Sequence, residues 1–396
     1  MSSKGCSLSD NFRVISVSYW YGRTKYVIAA AGIIVCFSLC TAVIERYAAA
    51  GWQGDDFVEF YAAGRLAGSG HLYDGEALKR VEAQYRPGIF SAPFLRLPFY
   101  AWALKPLTVL DYSTARGIWL LLGVLAVGVV VAKWTTGSFA DRLVVAGWFL
   151  PLAYASVSGQ DVLFFLLFAT LGARYLESHP SLAGLLFACC ACKYNLTIGL
   201  AVFLLGSRRW RVVAWTALGV AVEIILSFLL EGWSWPAKYL ELLRAPGSDL
   251  GAWGMPNLRG VLSRLPASTI LELACGLIVV CVFWRVSRGI DVTTGTALAL
   301  GIGLLLGHHG YLYDVSLALP LVIEATSHGR SRVGVCILLT PPLYLSPWLF
   351  GLRQYWFLIS QTTIVCSIVL MAARSLSQAR VLPASMHRPG DAPKQA

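Results

Sequence analysis

The residues best suited to chemistry are polar side chains set at the edges of apolar runs. The first group is GDDFVEFYAAGRLAGSGHLY, residues 54–73. Asp55, Asp56 and Glu59 fall just after the first apolar stretch, and Phe57, Phe60, Tyr61 and Gly64 recur at helical spacing. That spacing predicts a short helix lying in a membrane interface, with Asp56 and Glu59 on one side and Asp56 placed to cap it. Carboxylates so placed can act as general bases, hold a metal, or form a solvated face. The second group is GHHGYLYD, residues 307–314, with His308, His309, Tyr313 and Asp314. Ionisable groups at such a depth are costly and are read first as functional. Two histidines and an aspartate can bind zinc, but this spacing matches no standard zinc motif. The third is the polar turn Ser158-Gly159-Gln160-Asp161, and the fourth is Lys193 with Tyr194 and Asn195. A lysine there must snorkel or meet an anion, and a phosphate suits it. The fifth holds Asn257 and Arg259, within residues 253–260.

These groups need a scaffold, and composition says which. Of 396 residues, 57% are hydrophobic and 13% charged, where a soluble domain carries about 25% charged. The apolar residues come in runs long enough for a bilayer core, roughly 20 residues each. The sequence therefore predicts an all-α polytopic membrane protein of about twelve spans, near residues 27–45, 115–133, 140–157, 161–176, 181–193, 195–206, 212–231, 268–286, 292–308, 313–326, 331–348 and 355–373. The fifth and sixth are short. They are separated because Arg174–His179 and Ser207–Arg211 are both basic turns, so the chain between them must enter and return, with a break at Lys193-Tyr194-Asn195. Irregular backbone at that depth is tolerated where it lines a cavity.

Charge sets the expected orientation. The formal net charge is +11, and the basic residues gather at span ends, which is the positive-inside bias and not a nucleic-acid footprint. Lys4, Arg13, Arg23 and Lys25, the turns near Lys133, Arg208–Arg211, Arg285–Arg288 and Arg330–Arg332, and Arg374–Arg388 all fall on the cytoplasmic side. This divides the chain into a cytoplasmic N-terminus (1–26), a membrane domain (27–373) with outer loops at 46–114 and 232–267, and a disordered cytoplasmic tail (374–396). Nine of the ten cysteines lie in apolar runs, so no disulfide framework is expected. There is no P-loop or dinucleotide fingerprint. All five polar groups then converge on the outer face.

With these motifs in order, the chain resembles glycosyltransferase family 87, polyprenyl-phosphate-mannose-dependent transferases of the GT-C superfamily. The resemblance covers about residues 45–350. It rests on Asp56-Phe57 with Phe60-Tyr61, on Gly68/Gly70 before Tyr73, on Ser91-Ala-Pro93-Phe94 and Lys105-Pro106-Leu107, on Gly159-Gln160, on Lys193, and on His309 with Tyr313-Asp314. Asp161 stands where the family usually has Asn, no proline follows Lys193, and Gly307-His308 replaces a small-residue/Pro pair. The resemblance implies a GT-C-type bundle of about 12 helices (10–13), with interfacial helices in the first outer loop. It implies transfer of a sugar, most often mannose, from a polyprenyl-phosphate donor to a lipid or glycan acceptor on the periplasmic face of the inner membrane, with inversion. No metal or other cofactor is implied. Asp56 is then the base and Asp55 the alternate. Lys193, His309 and Arg259 would hold the donor phosphate, and Glu59, Tyr61, Tyr73, Gln160, Asn257, Tyr313 and Asp314 the substrates. The competing expectation is a multi-span transporter or flippase of a lipid-linked or small polar substrate.

Overall fold

The computed structural model describes residues 8–48, 54–87, 93–244, 251–329, 331–350 and 354–379. The readings made for Lys4, Cys6, Ser91, Ala92, Arg330, Arg380 and Arg388 lie outside the described residues. The described residues form helices joined by turns and loops, with no strand among them. The described cysteines form no disulfide.

Five helices are long and apolar enough to cross a membrane: Arg23–Arg46, Tyr112–Lys133, Trp210–Glu231, Ser268–Gly289 and Tyr355–Ser377. A 22-residue helix is about 33 Å long, which matches a hydrocarbon core of about 30 Å. Most sit at the rim of the bundle. In the apolar window of Ser268–Gly289 only 6% of residues are buried, so most of its side chains face outward from the bundle. Two shorter apolar helices, Val162–Tyr175 and Val292–Leu306, sit inside, and the second is buried along nearly its whole length. The first helix starts at Leu8, well before the expected span start at residue 27.

The other predicted spans are helical but interrupted. The stretch expected at 140–157 divides into Phe139–Trp148 and Leu150–Ser158. Pro151 cannot donate to the preceding turn and clashes with it, so the helix breaks at Phe149. Pro341 starts a second piece, Pro341–Leu349, after Arg332–Leu338. The break expected at Lys193 is present: Pro180–Ala188 tightens into a 3-10 segment, Cys189–Leu196, in which Lys193 has non-helical φ −124 and ψ 61. The helix Ile198–Gly206 then leads back. Gly199 and Gly303 let this return helix lie directly on the backbone of Val292–Leu306, the small-residue contact that membrane helices use where lipid offers no hydrophobic drive.

The turns sort into two ends. At one end Arg209 meets Glu177 at 3.1 Å, Thr135 meets Thr293 at 3.1 Å, Lys25 meets Asp141 at 2.6 Å, and the indole of Trp134 donates to Glu324 at 3.0 Å. These are the basic turns that the charge pattern grouped. The opposite end carries all the polar groups singled out above. It is covered by a cap with its own aromatic core, in which Phe57, Phe60, Tyr61, Tyr73, Trp119, Trp235 and Tyr239 are buried.

Candidate active site

The cap shows why Asp56 and Glu59 are not a solvated face. Their helix, Phe57–Leu66, buries eight consecutive residues, Phe57 to Gly64, Glu59 among them. It packs against the helices Gly75–Tyr85 and Pro98–Leu104. Tyr61 is boxed in by Tyr85 at 5.0 Å and Tyr112 at 5.3 Å, and its hydroxyl donates to the Leu110 carbonyl at 2.7 Å. These contacts pin Tyr61, expected to touch substrate, within the cap.

Asp56 occupies the N-cap position, yet its side chain makes no capping hydrogen bond. Its backbone N–H donates to the Ser158 carbonyl at 2.8 Å, which fastens the cap to the end of Leu150–Ser158. The next residue, Gly159, has φ +74 and closes that helix in the left-handed region. A Cβ there would sit 2.9 Å from Cβ of Phe57. Gly159→Ala is therefore expected to cost about 1–2 kcal/mol for the backbone alone, and to move Asp56 as well. Thermal unfolding and sugar transfer measured on the same preparation read both effects.

The turn after Gly159 presents two side chains. Gln160 hydrogen-bonds Asp56. Asp161 heads the helix Val162–Tyr175 without capping it, and its carboxylate is fully buried. It accepts from Nε of Arg96 at 2.8 Å and Nη2 at 3.2 Å, and it lies 3.3 Å from Nζ of Lys193. Arg96 lies over the Phe60 ring at 5.7 Å. Its own carbonyl is held by the Tyr73 hydroxyl at 2.8 Å, so Tyr73 aims the loop that carries Arg96. Nζ of Lys193 donates to Asp314 at 2.5 Å and to Gln160 at 3.4 Å, and lies 4.7 Å from the Tyr313 ring centre. The second carboxylate oxygen of Asp314 accepts from the Tyr311 N–H at 2.9 Å. Five separate stretches thus meet in one charged cluster: 56–59, 96, 160–161, 193 and 313–314.

Within this cluster the acids are not equivalent. One oxygen of Asp55 accepts from Arg86 at 2.9 Å, Arg116 at 2.8 Å and the Tyr112 hydroxyl at 2.6 Å. That oxygen anchors the cap, while the other, Oδ1, lies buried with no hydrogen-bond partner among the described residues. Asp55→Asn is expected to lower stability by about 2 kcal/mol, the scale of hydrogen bonds to a charged group. Transfer per folded molecule should persist, and a loss matching that of Asp56→Asn would contradict the anchoring role. Asp56 forms no ion pair among the described residues, and it keeps some surface. Burial raises its pKa to about 7, against the pull of the Gln160 hydrogen bond and with a push from Asp55. Burial also holds Glu59 well above the usual carboxylate range despite nearby Arg96.

Lys193, expected to hold the donor phosphate, is buried and ion-paired with Asp314 and Asp161. Asn257, expected to bind substrate, accepts from the Gly260 N–H at 2.8 Å as a helix cap and donates to the Gly307 carbonyl at 2.7 Å. That ties the second outer loop to the histidine turn. Asn195 donates to the carbonyl of His309 at 2.6 Å and ties the same turn to the Lys193 break. Arg259 pairs with the ring of His308, which also lies 4.0 Å from Glu272. Unlike Lys193, Arg259 and His308 remain partly open. Among the described residues, no three His, Cys, Asp or Glu side chains gather as metal ligands would. The sequence reading missed Arg96, Arg116 and Arg86. All are cations on loops or span starts, and nothing local distinguishes them from orientation charges.

A multi-pass helical membrane protein with a buried charged cluster under an aromatic cap at one end is the class these features define. The model of glycosyltransferase family 87 matches residues 94–307, more than half of the chain, and the protein belongs to that family. It is a membrane glycosyltransferase, and the transporter expectation is set aside. No curated protein and no solved structure matches the chain.

Proposed function

We propose that this protein moves a sugar, mannose by family resemblance, from a polyprenyl-phosphate donor to a lipid or glycan acceptor. The reaction takes place on the extracytoplasmic face of the inner membrane. The chain passes about twelve times between the two ends of the bundle, with both termini on the cytoplasmic side. The sorting of basic turns to the end away from the charged cluster supports this orientation.

Asp56 is the general base. The observation that carries this is its contrast with its neighbours: Asp55, Asp161 and Asp314 are each spent on cations, while Asp56 has only Gln160 and stays accessible. The acceptor hydroxyl attacks the anomeric carbon and gives its proton to Asp56. The bond from that carbon to the phosphate oxygen breaks on the opposite face, and the configuration inverts. The leaving phosphate gains charge and needs cations or donors. Arg259, with His308 and His309, meets it; Arg259 and His308 keep open surface, which supports this reading. Lys193 and Arg96 act from behind as a fixed charged frame. Glu59, held neutral, can donate a hydrogen bond to a sugar hydroxyl.

The test is transfer from radiolabelled polyprenyl-phosphate-mannose to a membrane lipid extract by the reconstituted protein, followed as a function of pH. A base must be ionised, and the pKa of Asp56 is raised to about 7. Transfer should therefore fall about tenfold per pH unit below 7 and level off above it. An acid limb near pH 4 would mean that a solvated carboxylate does the work.

A further inference from the structure

The end of the bundle opposite the charged cluster holds a polar cavity of about 280 Å³. It opens where the helix Tyr112–Lys133 ends, between the last turn of Val162–Tyr175 and the first turn of Val292–Leu306. Lys133 and Arg174 stand at its rim, and neither takes part in an ion pair among the described residues. Glu177 also lines it, but its carboxylate is held by Arg209 at 3.1 Å. The walls supply hydroxyls from Thr135, Thr170, Ser178 and Thr293. Thr170 is only 2% exposed, and its hydroxyl lies buried without a hydrogen-bond partner. A buried hydroxyl normally finds a partner within the protein, and Thr170 is the one hydroxyl of this lining without one among the described residues.

Two free cations over a hydroxyl-lined floor suit a phosphate group. The volume is slightly below that of pockets for drug-sized ligands, about 300–1,000 Å³, so it suits a headgroup better than a nucleotide. The rim is also where the outward apolar residues Leu121, Leu122, Val124 and Leu125 give way to charge along the same helix. We propose that this cavity binds an anionic phosphate, with Lys133 and Arg174 carrying the charge and Thr170 donating from below. A phosphodiester lipid headgroup and a free phosphate share that chemistry, and basic pockets between spans commonly hold the former.

The experiment is thermal unfolding of the full chain in detergent, titrated with short-chain phosphatidylglycerol, with phosphatidylcholine of the same chains, and with inorganic phosphate. A saturable rise in Tm with phosphatidylglycerol alone supports a lipid headgroup. An equal rise with inorganic phosphate supports the anion site with a soluble source. In either case Lys133→Gln/Arg174→Gln should need about tenfold more ligand or greater. Both side chains are exposed, so the unliganded Tm should hold. Thr170→Val keeps the shape of the wall, removes only the hydroxyl, and should weaken the response on its own. Equal shifts with phosphatidylcholine and phosphatidylglycerol, no shift with any of the three, or variants that respond as wild type does would overturn the proposal.

Discussion

Asp56→Asn is expected to lower sugar transfer by about 10²–10⁴-fold, the usual contribution of a positioned base. Asparagine keeps the shape and the contact with Gln160 but cannot accept the acceptor's proton. The backbone bond from residue 56 to Ser158 survives, so the cap should stay seated. Stability should not fall. The pKa of Asp56 is raised on folding, so its ionised form opposes the folded state, and that penalty grows as pH rises through about 7. At pH 8 the variant should unfold at the same temperature as wild type or higher. Transfer assays and thermal melts on one preparation separate chemistry from folding. Undiminished transfer would remove Asp56 from the mechanism and bring Glu59 forward.

The largest expected effect on stability is at Lys193. Lys193→Met leaves Asp314 buried with no cation and Asp161 with Arg96 alone. Breaking a buried pair by removing one partner typically costs about 3–5 kcal/mol, because the other charge is left uncompensated. Lys193→Met should therefore melt well below wild type, and adding Asp314→Asn should restore part of the loss. A double variant no more stable than Lys193→Met would show that the two side chains are not coupled. Lost transfer that returns with the double variant would show that the lysine supports the site's shape and does not itself meet the donor phosphate.

How far the sequence reveals this arrangement depends on what each residue needs. Lys193 was legible because an amine between two apolar stretches has few excuses, and the helix break beside it followed from the charge of the flanking turns. Gln160, Asp161 and Asp314 were legible as polar groups at span edges. Their partners were not: Arg96 reaches Asp161 across 65 residues and Lys193 reaches Asp314 across 121, and no local pattern encodes such pairings. The choice between Asp55 and Asp56 shows the same limit. The two are adjacent and chemically identical, and only the approach of Arg86, Arg116 and Tyr112 makes one an anchor and leaves the other open. Tyr61, Tyr73 and Asn257 look like substrate ligands by type, but each hydroxyl or amide is spent on a backbone carbonyl. The apolar pattern located helical segments throughout, while the prolines that interrupt them set which ones run straight through.

The buried Lys193 pairing also bears on how the chain enters a bilayer. A lysine or aspartate at the centre of a helix adds about 2.5–3.5 kcal/mol to the apparent free energy of insertion. The two short pieces around Lys193 are too brief to offset that alone. Asp161, already paired with Arg96, is synthesised just before Lys193 and lies 3.3 Å from it, so it can offset part of the lysine's charge as this stretch inserts. Asp314, made 121 residues later, then takes the closer contact. On the proposed twelve-pass topology, insertion of the segment from Pro180 to Gly206 is tied to its predecessor, and Asp161→Ala should leave a fraction of newly made chains with this hairpin outside the membrane. Glycosylation acceptor tags placed in the flanking turns would count that fraction.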